Sequence, residues 1–352
     1  MRRILGGLAV FLGVLALVLG LRADAVYHRL AKVKLDQSTT AVSEGTGVSV
    51  MRVWGDGKTV HFAPLTGQRV RNTRNVTGIP GKVPESQRDT QAFWQMGLKT
   101  EIVDVQPIAM TNEGVSLDRV SAMTTNCCGD YTSVGTLDEP GRTASSRHEG
   151  LFFKFPFDAQ KRSYPFWDAE LKGARDASYV RNETIQGVTT QVYEQQIPTT
   201  RLPGSQSVPR SMFVADAIGS VDASVDYANT RTFWVEPTTG VILKGQEQIE
   251  RTLVSDAGRV TLVKGTIAYT DATQKALADE YAPKAKALAF VRDLLGPVGF
   301  VLGALLLALG LLLLFAHRRR ARHQDLGHRE DRELVGATAT DRGDEATTTS
   351  HR

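Results

Sequence analysis

Two uninterrupted apolar runs, Ile4 to Leu21 and Leu294 to Ala316, constrain this 352-residue chain more than any other feature. They are 18 and 23 residues long and hold no charged side chain. As helices rising about 1.5 Å per residue they reach roughly 27 and 35 Å, which matches a bilayer's hydrocarbon core. Arg2 and Arg3 precede the first run, and His317, Arg318, Arg319, Arg320 and Arg322 follow the second. Because basic flanks stay on the cytoplasmic side, the expectation is a two-pass protein of the cell (inner) membrane. Both termini then face the cytoplasm and everything between the spans lies outside. The small-x-small triplet Ala23-Asp24-Ala25 has the form of a signal-peptidase site. Yet the first run exceeds the roughly 7–15 apolar residues of a signal peptide, so an uncleaved anchor is expected.

The division that follows is residues 1–3 cytoplasmic, 4–21 the first span, 22–270 an extracytoplasmic domain, 271–293 a juxtamembrane helix, 294–316 the second span and 317–352 a disordered cytoplasmic tail. Gly6, Ala9, Gly13, Ala16 and Gly20 recur at heptad spacing in the first span, and Gly296, Gly299, Gly303 and Gly310 do so in the second. Small faces let helices approach closely in lipid, which points either to an antiparallel helix pair or to a homodimer. The formal charge of +4 sits mostly at the termini, where the tail has eight Arg against seven acidic residues. The domain between the spans is nearly neutral, so no nucleic-acid surface is expected.

Between the spans the patterning is mainly β, predicting an antiparallel, barrel- or sandwich-like domain. Val48 to Trp54 alternates and turns at Gly55-Asp56-Gly57 into Thr59 to Ala63. Short strands are also read at Gln68 to Thr77, Ala92 to Val105, Val115 to Met123 and Gly187 to Ile197, the last closed by Pro198. The clearest hairpin runs from Thr230 to Glu236, turns through Pro237-Thr238-Thr239-Gly240, and returns over Val241 to Leu253, with Val260 to Tyr269 continuing it. Asp271 to Asp293 then reads as a helix capped by Thr270 or Asp271 and kinked by Pro283. The loops at 78–90 and 198–212 divide the domain into two candidate lobes.

Cys127 and Cys128 are the only cysteines, which excludes a disulfide-rich scaffold and a four-thiolate zinc site. Outside the cytoplasm they pair with each other if oxidised within one chain. That leaves a simple staple, a redox-sensitive or ligand-shaping turn, or pairing between chains. Seven aromatics fall between Phe152 and Trp167. They are either core filling or the wall of an apolar cavity for a lipid tail. On the second reading Phe152, Phe153, Phe155, Phe157, Phe166, Trp167 and Trp234 are the candidate ligand-binding residues. An enzyme is not expected. There is no G-x-S-x-G, H-E-x-x-H or phosphate loop, and no metal or cofactor is implied. An active site would require Asp130, His148 and Asp168 to converge on a pocket.

The chain resembles the actinobacterial membrane proteins of the porin PorA family, which include the lipoglycan-biosynthesis protein LmcA. The matching pieces are Arg2-Arg3 with its anchor, Cys127-Cys128-Gly129, His148 to Phe157, Asn229 to Pro237, Thr239-Gly240, Lys244-Gly245-Gln246 and the C-terminal span. The resemblance implies a β-rich extracytoplasmic domain with a cavity that acts in lipoglycan assembly, without assigned catalytic residues. The expected function is binding of a lipid or lipid-linked glycan in cell-envelope biogenesis. The alternative is a scaffold for envelope glycosyltransferases or transporters. A transmembrane barrel is not expected, because the strands read as short and charged on both faces.

Overall fold

The computed structural model describes residues 2–55, 60–133 and 143–315. The basic cluster after the second span, the tail expected to be disordered, and Asp56-Gly57 of the first hairpin turn lie outside the described residues. The chain forms two compact units, one from its two ends and one from residues 28–289. The helices are α1 (Arg2–Leu30), α2 (Asp271–Ala289) and α3 (295–315), with a π-helical turn at Phe290–Leu294 joining the last two.

In the first unit the small residues of α1 and α3 interlock as an antiparallel pair. A methyl group added at Gly299 would lie 2.8 Å from the Ala16 carbonyl oxygen. One at Gly303 would lie 2.9 Å from that of Gly13, and one at Gly310 2.9 Å from that of Gly6. The heptad glycines therefore face each other within one chain, and backbone-to-backbone packing takes the place of side-chain packing. Leu5, Phe11, Leu305 and Leu312 point outward and are exposed. Both helices are long and apolar enough to cross a bilayer. α1 continues past its expected end at Leu21 through Leu30, because no Gly or Pro interrupts residues 22–30.

The second unit is one antiparallel sheet of 13 strands. The first six strands are β1 (Ser38–Gly55), β2 (Val60–Gly78), β3 (Gln91–Ile102), β4 (Gln106–Asp118), β5 (Tyr131–Ser133) and β6 (Thr143–Ser145). They are followed by β7 (Tyr164–Asp168), β8 (Gly173–Ile185), β9 (Val188–Arg201), β10 (Gln206–Pro209), β11 (Ser220–Glu236), β12 (Val241–Ser255) and β13 (Gly258–Tyr269). The order across the sheet is β6-β5-β4-β3-β2-β1-β13-β12-β11-β9-β8-β7, with β10 on β11. Nearly every neighbour is a chain neighbour, as expected of hairpins linked by short turns. The exceptions are β9 with β11, between which β10 intervenes in the chain, and β1 with β13, which brings the two ends of the domain together.

Single-residue bridges close the sheet into a ring. Leu151 pairs with Phe166 of β7, donating to the Pro165 carbonyl and accepting from the Trp167 amide, both at 2.8 Å. Leu151 also pairs with Met123, and Thr124 pairs with Leu117 of β4. Backbone hydrogen bonding thus runs round the barrel and removes most exposed edges. The interior is filled by Trp94, Leu117, Leu151, Phe155, Tyr164, Phe166, Tyr193, Phe233 and Val235.

Several sequence expectations need correction. The strands are long: β1 has 18 residues and β2 has 19. The two strands read at 59–63 and 68–77 are one, with its register shifted near Gly67 at φ 69°. A residue with that dihedral interrupts the alternation that sequence reading relies on. Pro198 does not end β9. It lies where the register against β11 slips between Tyr227 and Asn229, a place where a missing N–H is tolerated. β8 was missed because Arg175, Asp176, Arg181 and Asn182 are solvated and hide its period. The candidate lobes are not separate, since residues 28–289 form one unit. Thr270 caps α2: its hydroxyl accepts from the Thr273 amide at 3.2 Å. That helix continues through Pro283.

Candidate functional site

The aromatic segment after His148 folds inward and is anchored on the β11–β12 turn. Gly240 adopts φ 71°, and its carbonyl accepts from the Phe155 amide at 2.8 Å. The Thr238 and Pro237 carbonyls accept from Asp158 and Ala159. Glu236 holds the turn from beneath, accepting from the amides of Thr238 (3.0 Å) and Thr239 (2.7 Å) and from the Thr239 hydroxyl. Seated there, Phe155 is fully buried and stacks on Tyr193 with ring centres 4.4 Å apart.

Of the seven aromatic residues named from the sequence, Phe153 lines the pocket beside α2 and the other six do not line it. Phe155 and Phe166 are core, and Phe157 packs against that core. Phe152 and Trp167 pack with Met96 and Val115. Trp234 belongs to a second cluster with Leu243 and Leu277, under Lys244. The physical reason is that this plug must fill the ring's interior before any of its surface can face a ligand.

The pocket lies between α2 and the sheet and holds about 90 Å³. Trp94, Phe153, Val241, Ile242 and Leu277 make its apolar wall, and Arg74, Lys154, Gln37, Thr39, Tyr269 and Tyr281 its polar one. No carboxylate lines it. Lys154 is only 6% exposed, and its ammonium has no hydrogen-bond partner among the described residues. It lies over the Phe157 ring, 3.9 Å from the centroid. Burial pulls its pKa down to about 7, against the opposing field of Glu236. Sequence reading missed Lys154, although a lone lysine within Phe152-Phe153-Lys154-Phe155 was the available signal. It also missed Trp94, Arg74 and Tyr281, which come from three distant elements.

Asp130, His148 and Asp168 do not meet at this pocket. His148 Nε2 lies 3.1 Å from Glu113 and Nδ1 lies 3.5 Å from Asp130, all three buried. Asp130 also accepts from the Ser116 amide at 3.0 Å, and the Ser116 hydroxyl in turn accepts from the Cys127 amide. Cys127 and Cys128 are joined to each other on this turn. Asp168 belongs to another network. It pairs with Arg231 at 2.9 Å and accepts from the Tyr227 hydroxyl at 2.9 Å, while Glu247 holds the other side of Arg231. No group of three or more metal-binding side chains occurs among the described residues.

Burial by itself would lower the pKa of His148, but Asp130 and Glu113 outweigh it and hold the imidazole above its ordinary value. A raised folded-state pKa contributes stability that is complete below about 6.5 and is lost as pH rises through the folded value. Lys154 acts in the opposite sense, adding stability between about pH 7 and its ordinary value. The His148 contribution is therefore read as a difference between proteins. The unfolding free energy of the wild type minus that of His148→Gln is expected to be largest near pH 6 and to shrink by pH 9. A difference independent of pH would show that folding does not raise the His148 pKa, and one that grows with pH would show that His148 is neutral in the folded state.

A family model described as Porin PorA matches residues 5–312 of the chain. A curated relative, Porin PorA of Corynebacterium amycolatum, is 32% identical over 124 residues, covering 28% of this chain. The chain spans 32% of that relative's own length.

Proposed function

We propose, for a chain that belongs to the Porin PorA family, that it is a membrane-tethered protein that binds a lipid or lipid-linked glycan during cell-envelope, and specifically lipoglycan, biogenesis. The topology that goes with this reading is two-pass, with both termini cytoplasmic and residues 28–289 outside. The observation that carries it is the pocket whose wall combines Trp94, Phe153, Ile242 and Leu277 with a buried, unpartnered Lys154. An apolar wall beside a few polar side chains is the usual build of a small-ligand site. At about 90 Å³ the pocket is below the roughly 300–1,000 Å³ of drug-sized sites, so it suits a headgroup or chain tip rather than a whole lipid.

The outer face of the ring supports a domain in water rather than in lipid. Arg69, Arg71 and Glu44 form one exposed ion-pair group, Arg201, Arg259 and Asp226 another, and Lys264 pairs with Glu250. A barrel spanning a bilayer would instead carry an apolar band there. No nucleotide site is evident in the sequence, so any transfer of ligand runs downhill or is driven by a partner.

The test is native mass spectrometry of the full chain, extracted with its surrounding membrane from an actinobacterial host. The wild type is expected to retain a defined envelope lipid. Val76→Trp, which fills the pocket from β2, is expected to lose it with circular dichroism unchanged. A wild-type protein that carries no lipid, or a Val76→Trp protein that carries the same one, would remove this reading.

A further inference from the structure

Lys154 is held by the face of the Phe157 ring and by no hydrogen bond among the described residues. An ammonium placed out of water without a hydrogen-bond partner is costly, and a methionine of similar length would serve the plug better. The carboxylate nearest in effect, Glu236, is taken up by the amides of Thr238 and Thr239. The other groups facing the same space are Arg74 from β2, Tyr269 from β13 and Tyr281 from α2. Arg74 makes no ion pair among the described residues. The pocket is therefore lined by two basic side chains, several neutral hydrogen-bonding ones and no carboxylate.

We propose that this pocket is a phosphate-headgroup site, in which Lys154 and Arg74 are the counter-ions of an amphiphile's phosphate monoester and Trp94, Phe153 and Leu277 take the first carbons of its chain. This rests on the amphiphile-binding reading and narrows it. Two cations suit a group that carries close to two negative charges near neutral pH, and a charge-assisted hydrogen bond repays the desolvation that the free ammonium suffers. The size agrees as well: about 90 Å³ admits a headgroup and not a long tail.

The experiment is calorimetric titration of the full chain in phosphatidylcholine nanodiscs, with empty nanodiscs as the blank. The probes are octyl phosphate, octanol and inorganic phosphate. Octyl phosphate is expected to bind at least tenfold more tightly than octanol. Lys154→Met should remove that preference, and Lys154→Arg should retain it. The Met variant is expected to melt no lower than the wild type, since it removes an unpaired buried charge. Above pH 7.5 the wild-type affinity for octyl phosphate should fall by roughly tenfold per pH unit, and that of Lys154→Arg should not.

If octanol and octyl phosphate bind equally and Lys154→Met changes neither, the headgroup assignment is overturned while amphiphile binding stands. If neither binds, the broader reading falls with it. Inorganic phosphate binding more tightly than octyl phosphate would make this a free-phosphate site and overturn the lipid source.

Discussion

Gly240→Ala is expected to lower the melting temperature of the β domain by about 5–15 °C, the size of shift that roughly 2–5 kcal/mol produces in a domain of this length. Two costs add. The residue holds φ 71°, where an L side chain pays about 1–2 kcal/mol. The new methyl group would also lie 2.1 Å from the Phe155 carbonyl oxygen and 2.2 Å from that of Pro156. Neither is the free end of a flexible side chain, so the plug itself must move, and overpacking of this kind costs about 1–3 kcal/mol more. The plug's hydrogen bonds to the turn would then loosen together, and the Lys154 pocket would change shape with them. Differential scanning calorimetry checks this. A fall of less than about 3 °C would mean that the turn yields easily and does not seat the aromatic segment as described.

Arg231→Met is the second large effect, an expected loss of about 3–5 kcal/mol, because it leaves the fully buried Asp168 without its cation. The Tyr227 hydroxyl and the Leu171 amide would still donate to the carboxylate, but two neutral hydrogen bonds do not balance a buried charge. Pairing the change with Asp168→Leu should recover at least half of the loss, since an apolar pair of similar volume carries no desolvation penalty. Urea titration of the two single variants and the double variant measures this coupling. Additive losses would show that Asp168 and Arg231 act independently, contrary to the 2.9 Å contact between them.

The loss in either variant reaches the barrel's closure. Asp168 ends β7, the strand that meets Leu151 and completes the ring. Gly150, just before that bridge, holds φ 71°, and a methyl group there would meet the Pro165 carbonyl at 2.4 Å. Closure thus depends on a few residues whose backbone geometry is unusual, and the plug depends on one more at Gly240.

What the sequence determined by itself was local. The two long apolar helices were legible because an uninterrupted apolar run of this length reads as a helix long enough to cross a bilayer. Their mode of pairing was half legible: heptad glycines announce a close face, but whether that face meets the other helix of the same chain or a second chain was left open. The β11–β12 hairpin and the Thr270 cap were also legible, since turn and cap chemistry is written within a few consecutive residues. Strand lengths were underestimated wherever a bulge interrupts the alternation, as at Gly67, or where the outward face is charged, as in β8.

Tertiary structure alone decided the rest. It decided that the aromatic run is mostly the barrel's filling, because seven rings look the same in sequence whether they pack on Tyr193 and Phe233 or on a ligand. It decided that His148 meets Glu113 and Asp130 rather than Asp168. It also brought Lys154 against Trp94, Arg74 and Tyr281, residues from β3, β2 and α2 that no spacing rule connects. Helix period, turns and caps depend on neighbours in the chain. A closed ring and the pocket at its side depend on contacts between residues far apart in it, which only the folded chain brings together.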